Sequence, residues 1–498
     1  MTWLDSFARD VRHAVRGLRR APVFAFVAVL SLALGIGANT AIFTLIDAVV
    51  LRPLPVPAPE ELVIFGMSAS VEQGERQAGA SFPNPLWEQI RNRQTGMSAV
   101  AAFSDTRLNL AEGGEARRVR AAHVSGDYFR LFGVNPAHGR LLRVSDDVRG
   151  CAPTAVLGHG FWRSEYGGDI GVVGRTIELE GTPFEIIGVA PNGFHGAQVG
   201  TDPQVYVPLC SEEAMRGEGS ILDRRDTWWL QVMGRRETDV TMAQLGARLA
   251  AIAPASFAAT VPQDGWGESE RQAYLAQSFF VLPAATGVSM LRDRYTGALV
   301  ILMAGVGLVL LIACANVANL LLARAASRER EFAIRAAIGA GRARLARQLV
   351  TESILFALMG AALGLVIARF GAQALVALIA QDDGGIALDL SLSARVLTFT
   401  TAVAVLTALL FGLVPAWRAG RVDPQTTMSE RGRGIAQGHG RFTMGKALVA
   451  AQVALSLVLL VGAGLLVGSL RNLVTLDPGF RTDGVLIASA DLRPAGFA

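Results

Sequence analysis

Val23-Phe-Ala-Phe-Val-Ala-Val-Leu-Ser-Leu-Ala-Leu-Gly-Ile-Gly-Ala-Asn-Thr-Ala-Ile-Phe-Thr-Leu-Ile-Asp-Ala-Val-Val50 contains only two strongly polar residues, Asn39 and Asp47. A helix needs about 20 consecutive apolar residues to cross a bilayer core about 30 Å thick, and this stretch exceeds that. Five arginines precede it (Arg9, Arg12, Arg16, Arg19 and Arg20), as they would a signal peptide. Signal h-regions, however, run only about 7 to 15 residues and end at a small-residue cleavage site. This run is longer and continues into Arg52-Pro53-Leu54-Pro55 without such a site, so it reads as a retained anchor.

Four further apolar runs occupy residues 296–322, 349–380 (with Arg369 inside), 394–416 and 448–470. Together with 23–50 they predict an α-helical membrane protein with five transmembrane helices. The bulk composition agrees with a mixture of embedded and solvated segments. The chain has 498 residues, 51% hydrophobic and 18% charged, with a mean hydropathy of +0.38. Soluble domains carry about 25% charged residues, so the chain is too apolar for one and too polar to be wholly embedded. A disordered chain, a disulfide-dense secreted scaffold and a coiled coil are excluded on the same grounds.

Orientation follows from where the cations sit, because short cytoplasmic loops are rich in Lys and Arg. Five arginines lie in the N-terminal segment 1–22. Seven lie in 323–348 (Arg324, Arg328, Arg330, Arg335, Arg342, Arg344 and Arg347), and six cations in 417–447, including Lys446, the only lysine. The loop 381–393 has none and holds Asp382, Asp383 and Asp389 instead. An inner-membrane protein with a cytoplasmic N-terminus puts all three basic segments inside and residues 51–295 outside. The net charge of +4 is therefore mostly topological, and a nucleic-acid partner is not implied.

Residues 51–295 read as an extracytoplasmic α+β domain. Glu61–Phe65, Thr176–Glu180 and Phe184–Val189 have strand character, the last two joined at Gly181-Thr182 as a hairpin. Helices are expected over Asn84–Arg93, Gly126–Phe132 and Thr241–Ala253. Both ends of the domain meet the membrane, so the first two spans should stand side by side as a stalk. Cys151 and Cys210 fall here, where a disulfide is permitted; two free buried thiols are the alternative. Cys314 lies in the second span.

Catalytic constellations are not evident. Gly440-Arg-Phe-Thr-Met-Gly-Lys-Ala447 approaches a phosphate-binding loop but has Ala447 where a hydroxyl must ligate Mg²⁺. The six histidines show no metal-ligand spacing, and no G-x-S-x-G elbow occurs. No enzyme activity, cofactor or metal is expected of this chain. Within the spans, Asn39, Asn316 and Asn319 mark either a polar path or hydrogen bonds between helices, and three residues are few for a path. Gly360-x-x-x-Gly364 and Gly464-x-x-x-Gly468 suggest close helix contacts.

The cytoplasmic segment Ala323-Arg-Ala-Ala-Ser-Arg-Glu-Arg-Glu-Phe-Ala-Ile-Arg-Ala-Ala-Ile-Gly-Ala-Gly-Arg342 is amphipathic at helical spacing. Arg328, Glu331, Arg335 and Arg342 share one face, with Glu331 four residues before Arg335 in the favourable order. Ile334, Ile338, Leu345 and Leu349 share another, and Gly339 and Gly341 interrupt between them. Periodicity allows either a helix lying on membrane lipid or a docking element for a partner.

With these pieces in place the chain resembles the FtsX-like or MacB-like ABC permeases. The resemblance rests on the order of spans and outer domain, and on Ala315-Asn-Val-Ala-Asn-Leu-Leu-Leu-Ala-Arg324 running into Arg330-Glu-Phe-Ala-Ile-Arg-Ala-Ala-Ile-Gly-Ala340. It rests also on the likeness of Gly126-Asp-Tyr-Phe129 through Gly188-Val-Ala-Pro-Asn-Gly-Phe194 to the MacB-type periplasmic core domain. The resemblance implies that the short cytoplasmic helix docks on a separate ABC ATPase subunit, through Arg328, Glu331, Ile334, Arg335, Ile338 and Gly339. It implies mechanotransmission, in which ATP binding and release work the outer domain through the stalk. Efflux or export is the expected use; a scaffold regulating an extracytoplasmic cell-wall hydrolase, with an outer protein partner, is the alternative.

Leu30-Ser-Leu-Ala-Leu-Gly-Ile-Gly-Ala38 and Leu455-Ser-Leu-Val-Leu-Leu-Val-Gly-Ala463 match at six of nine positions, with Pro53 and Pro478 at the same offset. The fifth span thus looks like the first span of a second module, as in the duplicated permeases called ADOP. Residues 471–498 would then begin a second extracytoplasmic domain, as a fragment or a truncated module, and a dimer or pseudo-dimer of modules is implied.

Overall fold

The computed structural model describes residues 21–68, 81–112, 115–262, 264–327, 342–379, 387–419 and 444–476, with Arg16 and Arg19. Along the chain, α1 (Pro22–Ile46) continues as one π-helical turn, Asp47–Leu51. Then come β1 (Leu62–Ser68), α2 (Asn84–Arg93), β2 (Met97–Glu112), β3 (Glu115–Val124), α3 (Tyr128–Phe132), β4 (His138–Gly139), β5 (Thr154–Leu157) and α4 (His159–Glu165). These are followed by β6 (Thr176–Leu179), β7 (Thr182–Val189), β8 (Val205–Pro208), α5 (Ser211–Arg216), β9 (Gln231–Arg236), α6 (Met242–Thr260), α7 (Glu268–Leu275) and β10 (Ser278–Pro283). Four long helices complete the described chain: α8 (Met290–Ser327), α9 (Arg342–Ile379), α10 (Ala394–Ala419) and α11 (Met444–Val474). They fall into two compact units, an α+β unit holding Leu51–Leu291 and a helical unit that includes α1, α9, α10, α11 and α8 from Arg292 onward.

In the α+β unit ten strands form one mixed sheet in the order β10-β1-β9-β2-β3-β8-β5-β7-β4, with β6 pairing β7 and touching β2. Strand alternation sorts its side chains to the two faces. Ala99, Ala101 and Phe103 of β2 join Tyr128, Phe129 and Phe132 of α3 on one face. Val100 and Ala102 join Trp87 of α2 and Leu245, Leu249 and Phe257 of α6 on the other. A third cluster, around Leu110, Ile177, Phe184 and Trp162, covers the β5–β8 end.

The β6–β7 hairpin closes one residue earlier than Gly181-Thr182. Leu179 faces Thr182 in the register, so Glu180 and Gly181 are the turn. Both have positive φ, 51° and 76°, the pairing that a two-residue turn between right-twisted strands requires. Helix α6 starts as expected: the Thr241 hydroxyl accepts from the Gln244 N–H and the Gln244 side chain returns a bond to the Thr241 N–H. It runs on to Thr260, through Pro254, because Phe257 behind the proline is fully buried in the sheet-facing core.

In the helical unit, four helices are, among the described residues, long and apolar enough to cross a membrane: Pro22–Leu51, Met290–Ala323, Val350–Leu378 and Lys446–Val474. The fifth expected span, 394–416, falls within the 26-residue helix α10. Helices α8 and α11 extend beyond the apolar runs at both ends, and α9 at its start. Residues 477–498, where a second outer domain is expected, lie outside the described residues.

Because backbone groups in a bilayer must be satisfied within the span, what holds these helices together is side-chain and backbone approach. Ala28, Leu32 and Ile36 of α1 meet Val317 and Leu321 of α8, Phe356 and Ala357 of α9, and Ala404 and Ala408 of α10 in a single buried cluster. The closest approach is at glycines. A Cβ on Gly37 would lie 2.9 Å from the Gly364 carbonyl oxygen, and one on Gly360 would lie 2.8 Å from Leu32 Cβ. A side chain has no room there. Gly37→Leu should cost about 1–3 kcal/mol through overpacking, read as a lowered unfolding temperature of the full chain in detergent. Gly462→Leu, at the matching place on α11 where a Cβ meets nothing within 4 Å, should leave that temperature unchanged.

Candidate functional site

The candidate functional region built by these contacts is the seam of α1 with its three neighbours. Asn39 is buried, and its amide donates to two carbonyls, Gly35 at 2.8 Å and Val306 of α8 at 2.9 Å. It ties the first span to the second. The other two asparagines are not brought to it: Asn316 is exposed on α8 and Asn319 half-buried. The three therefore do not line a common path.

A polar seam of hydroxyls, which the asparagine-based reading missed, is buried instead. Thr40 and Thr400 share a hydrogen bond of 3.1 Å between α1 and α10. Thr44 donates to Thr40 O and Thr400 to Val396 O, each at 2.8 Å. These bonds to the carbonyl one turn back satisfy a hydroxyl inside its own helix. Thr351, Glu352 and Ser353 of α9 and Thr407 of α10 are also buried. The signal in the sequence was there, as hydroxyl residues recurring inside otherwise apolar runs, but a threonine in a span is too weakly polar to stand out.

At the far end of α1, Asp47 is completely buried. Ser393, the N-cap of α10, donates to its Oδ2 at 2.8 Å, and the Arg395 guanidinium lies 3.8 Å from Oδ1. The carboxylate thus sits at the N-terminal end of α10, where the helix dipole favours a negative charge. Beside it the Arg292 guanidinium, from the start of α8, donates to the Val49 carbonyl at 3.3 Å. One turn of α1 is thereby clamped to the beginnings of both α8 and α10. Arg328, Glu331, Ile334, Arg335, Ile338 and Gly339 lie outside the described residues, and α9 begins at Arg342 immediately after that segment.

In the α+β unit Cys151 and Cys210 are joined, with Cα atoms 6.0 Å apart across 59 residues of sequence. Asp147 braces the same corner. Its carboxylate accepts from the Cys210 N–H at 3.0 Å and the Gly126 N–H at 3.1 Å, while burial pushes its pKa up. Asp105 on β2 is half-buried, and burial raises its pKa from 3.8 to about 6 against the opposing bond from Thr201. Around it stand the buried rings of Tyr128 and Tyr206. Among the described residues no group of three or more His, Cys, Asp or Glu is placed to hold a metal.

The description "MacB-like periplasmic core domain" matches residues 25–252, and "FtsX-like permease C-terminal" matches residues 303–424. The chain belongs to the FtsX/MacB-like ABC permeases. Among curated relatives of this FtsX/MacB-like permease, the pyoverdine export ATP-binding/permease protein PvdT of Pseudomonas syringae pv. tomato is 25% identical over 57% of this chain and 39% of that protein. The macrolide export ATP-binding/permease protein MacB of Hahella chejuensis is 23% identical over 60% of this chain and 41% of its own length. The permease thus spans about two fifths of these two relatives. The crystal structure of the periplasmic region of MacB from Actinobacillus actinomycetemcomitans matches at 13% identity and a TM-score of 0.31, over 49% of this chain and 93% of that one. Family and apolar helices together make this permease a membrane protein.

Two outcomes follow for the α+β unit. Alkylation under denaturing, non-reducing conditions should modify one cysteine, Cys314, and reduction should release two more; three reactive thiols before reduction would refute the bridge. Reduction should lower stability by up to about 4 kcal/mol, the chain-entropy value for a loop of this size. For Asp105, a folded pKa above the unfolded one means that stability is full below pH 3.8 and declines as pH rises through about 6. The loss amounts to roughly 3 kcal/mol. Asp105→Asn should remove this decline, so that its unfolding temperature exceeds that of the parent at pH 7.5 but not at pH 4.

Proposed function

We propose that this permease transmits ATP-driven movement from a separate cytoplasmic ABC ATPase to its α+β unit, and that the work serves export. The observation that carries this reading is the α1–α9 seam. Helix α9 starts just after the segment 328–341 that is expected to dock on the ATPase, and Gly360 and Gly364 press it against Leu32, Ala33 and Gly37 of α1. A displacement of α9 therefore has to carry α1 with it, because a contact between backbones leaves no soft side chain to absorb the motion. At its other end α1 is clamped through Val49 and Asp47 to α8 and α10. The chain enters the α+β unit at Leu51, directly after α1, and leaves it at Leu291, directly before Arg292. Both connections to that unit thus belong to one clamped group.

The proposed orientation is a cytoplasmic N-terminus in the inner membrane, with the α+β unit outside, and it supports this role because the cationic segments stay on the ATPase side. The names of PvdT and MacB make those proteins exporters, and export is the use proposed here by relation. ATP hydrolysis is assigned to the partner subunit.

Co-expression with candidate ABC ATPase subunits tests the reading at both ends. Glu331→Arg and Arg335→Glu should each lower the ATPase recovered with the permease by about tenfold or more, the scale of removing a charged contact. Gly37→Leu should leave recovery intact while abolishing the change in ATP turnover that the permease causes. Undiminished recovery with both charge reversals would sink the docking assignment. Normal turnover coupling in Gly37→Leu would sink the seam as the transmission element.

A further inference from the structure

Between α9 and α10 the chain returns to the α+β unit. Ala387 and Leu388 group with that unit, and the helical unit resumes at Asp389. The Ala387 N–H donates to the Gly200 carbonyl at 3.0 Å, and the two residues pair as an antiparallel bridge. Gly200 has a φ of 92°, so only a glycine holds the backbone there without strain.

Both sides of this bridge are fastened. Toward α10, the Ser391 N–H and hydroxyl donate to the two Asp389 carboxylate oxygens at 2.9 and 3.0 Å. Leu390 packs against Leu45 of α1, Leu299 of α8 and Ala372 of α9, and Ser393 donates to Asp47. Ala387 and Ser393 are six residues apart, a length of chain that reaches at most about 20 Å. One turn and one packed side chain leave it little slack. On the other side, Gly200 belongs to the segment 197–201, which is stitched to the stretch just before α8. The Val199 N–H donates to Val288 O at 2.8 Å and the Val288 N–H to Ala197 O at 3.0 Å. The Ala197 N–H donates in turn to the buried Tyr128 hydroxyl at 3.0 Å, and Val199 and Val288 pack against the cluster that contains Tyr128.

We propose, resting on the transmission role above, that residues 387–393 are a strap through which movement of the Asp47 clamp reaches residues 197–201 of the α+β unit. This route is additional to the chain connections at Leu51 and Leu291. A short strap anchored at both ends passes a displacement on, whereas a long loop would absorb it. Its weakest member is the single backbone bond from Ala387 to Gly200, which any residue at 387 that keeps its N–H can make and proline cannot.

The test uses the full chain in detergent and reads amide hydrogen exchange by mass spectrometry over residues 195–203 and 284–289. Ala387→Pro removes the donor, Gly200→Val forces the acceptor's backbone out of its positive φ, and Ala387→Ser keeps the bond. Ala387→Pro should speed exchange over both stretches, and Gly200→Val over 284–289, by between about twofold and tenfold, the worth of one backbone hydrogen bond. Ala387→Ser should exchange as the parent does. Unchanged exchange in both Ala387→Pro and Gly200→Val would overturn the strap. A second measurement, with an ABC ATPase that co-purifies with the permease, follows the change in exchange over 195–203 on adding ATP. Ala387→Pro should lose most of that change with the recovered ATPase undiminished, and Ala387→Ser should keep it. A full change in Ala387→Pro would overturn the route and leave the transmission role standing. No change even in the parent would sink the transmission role itself, and the route with it.

Discussion

The helical unit depends on the approach of two backbones at Gly37 and Gly364. In water, burial of apolar surface would hold α1 to α9 with whatever side chains fitted. In a bilayer the tails are as apolar as leucine, so burial gains nothing and association rests on packing and hydrogen bonds. Removing the side chain at Gly37 lets the Gly364 carbonyl come within van der Waals reach of the α1 backbone. That approach brings Leu32 and Phe356 into one cluster. It also accompanies hydrogen bonds between helices that a wider spacing would forbid, such as Thr40 to Thr400.

The clamp at the other end of α1 has a different character. A fully buried carboxylate is expensive unless charge and hydrogen bonds compensate it, and Asp47 has a hydroxyl donor, a guanidinium within 4 Å and the N-terminus of α10. The first span is thus fastened by packing toward α9 and by electrostatics toward α10. Directional bonds at the one end and close contact along the other make it a stiff member, which is what transmitting a displacement demands. The hydroxyl seam adds bonds without charge, so its members can be buried along the span at low cost.

Much of this was legible in the residues. Apolar runs announced the long helices because a bilayer imposes a length. The hairpin of β6 and β7 and the start of α6 near Thr241 were readable because their chemistry is local. The sheet order was not. β9 lies between β1 and β2, a pairing that joins segments far apart in sequence and leaves no local mark. The helix expected to end at Ala253 runs on to Thr260 because burial of Phe257 outweighs the missing hydrogen bond of Pro254. Among candidate site residues, Asn39 does bind across helices whereas Asn316 faces outward, since helical phase tells which residues share a face but not which face is covered.

The sequence by itself determined the class of molecule: apolar spans around a polar α+β insert, with the cations that flank the spans gathered into three short segments. These follow from solvent preference residue by residue, which needs no partner to be defined. Only the tertiary structure decided which glycine meets which backbone, that Asp47 is a fully buried carboxylate, and that Asn39 bonds across to α8 while Asn316 faces outward. Those are properties of pairs of helices, because contact, unlike hydropathy, belongs to two surfaces at once.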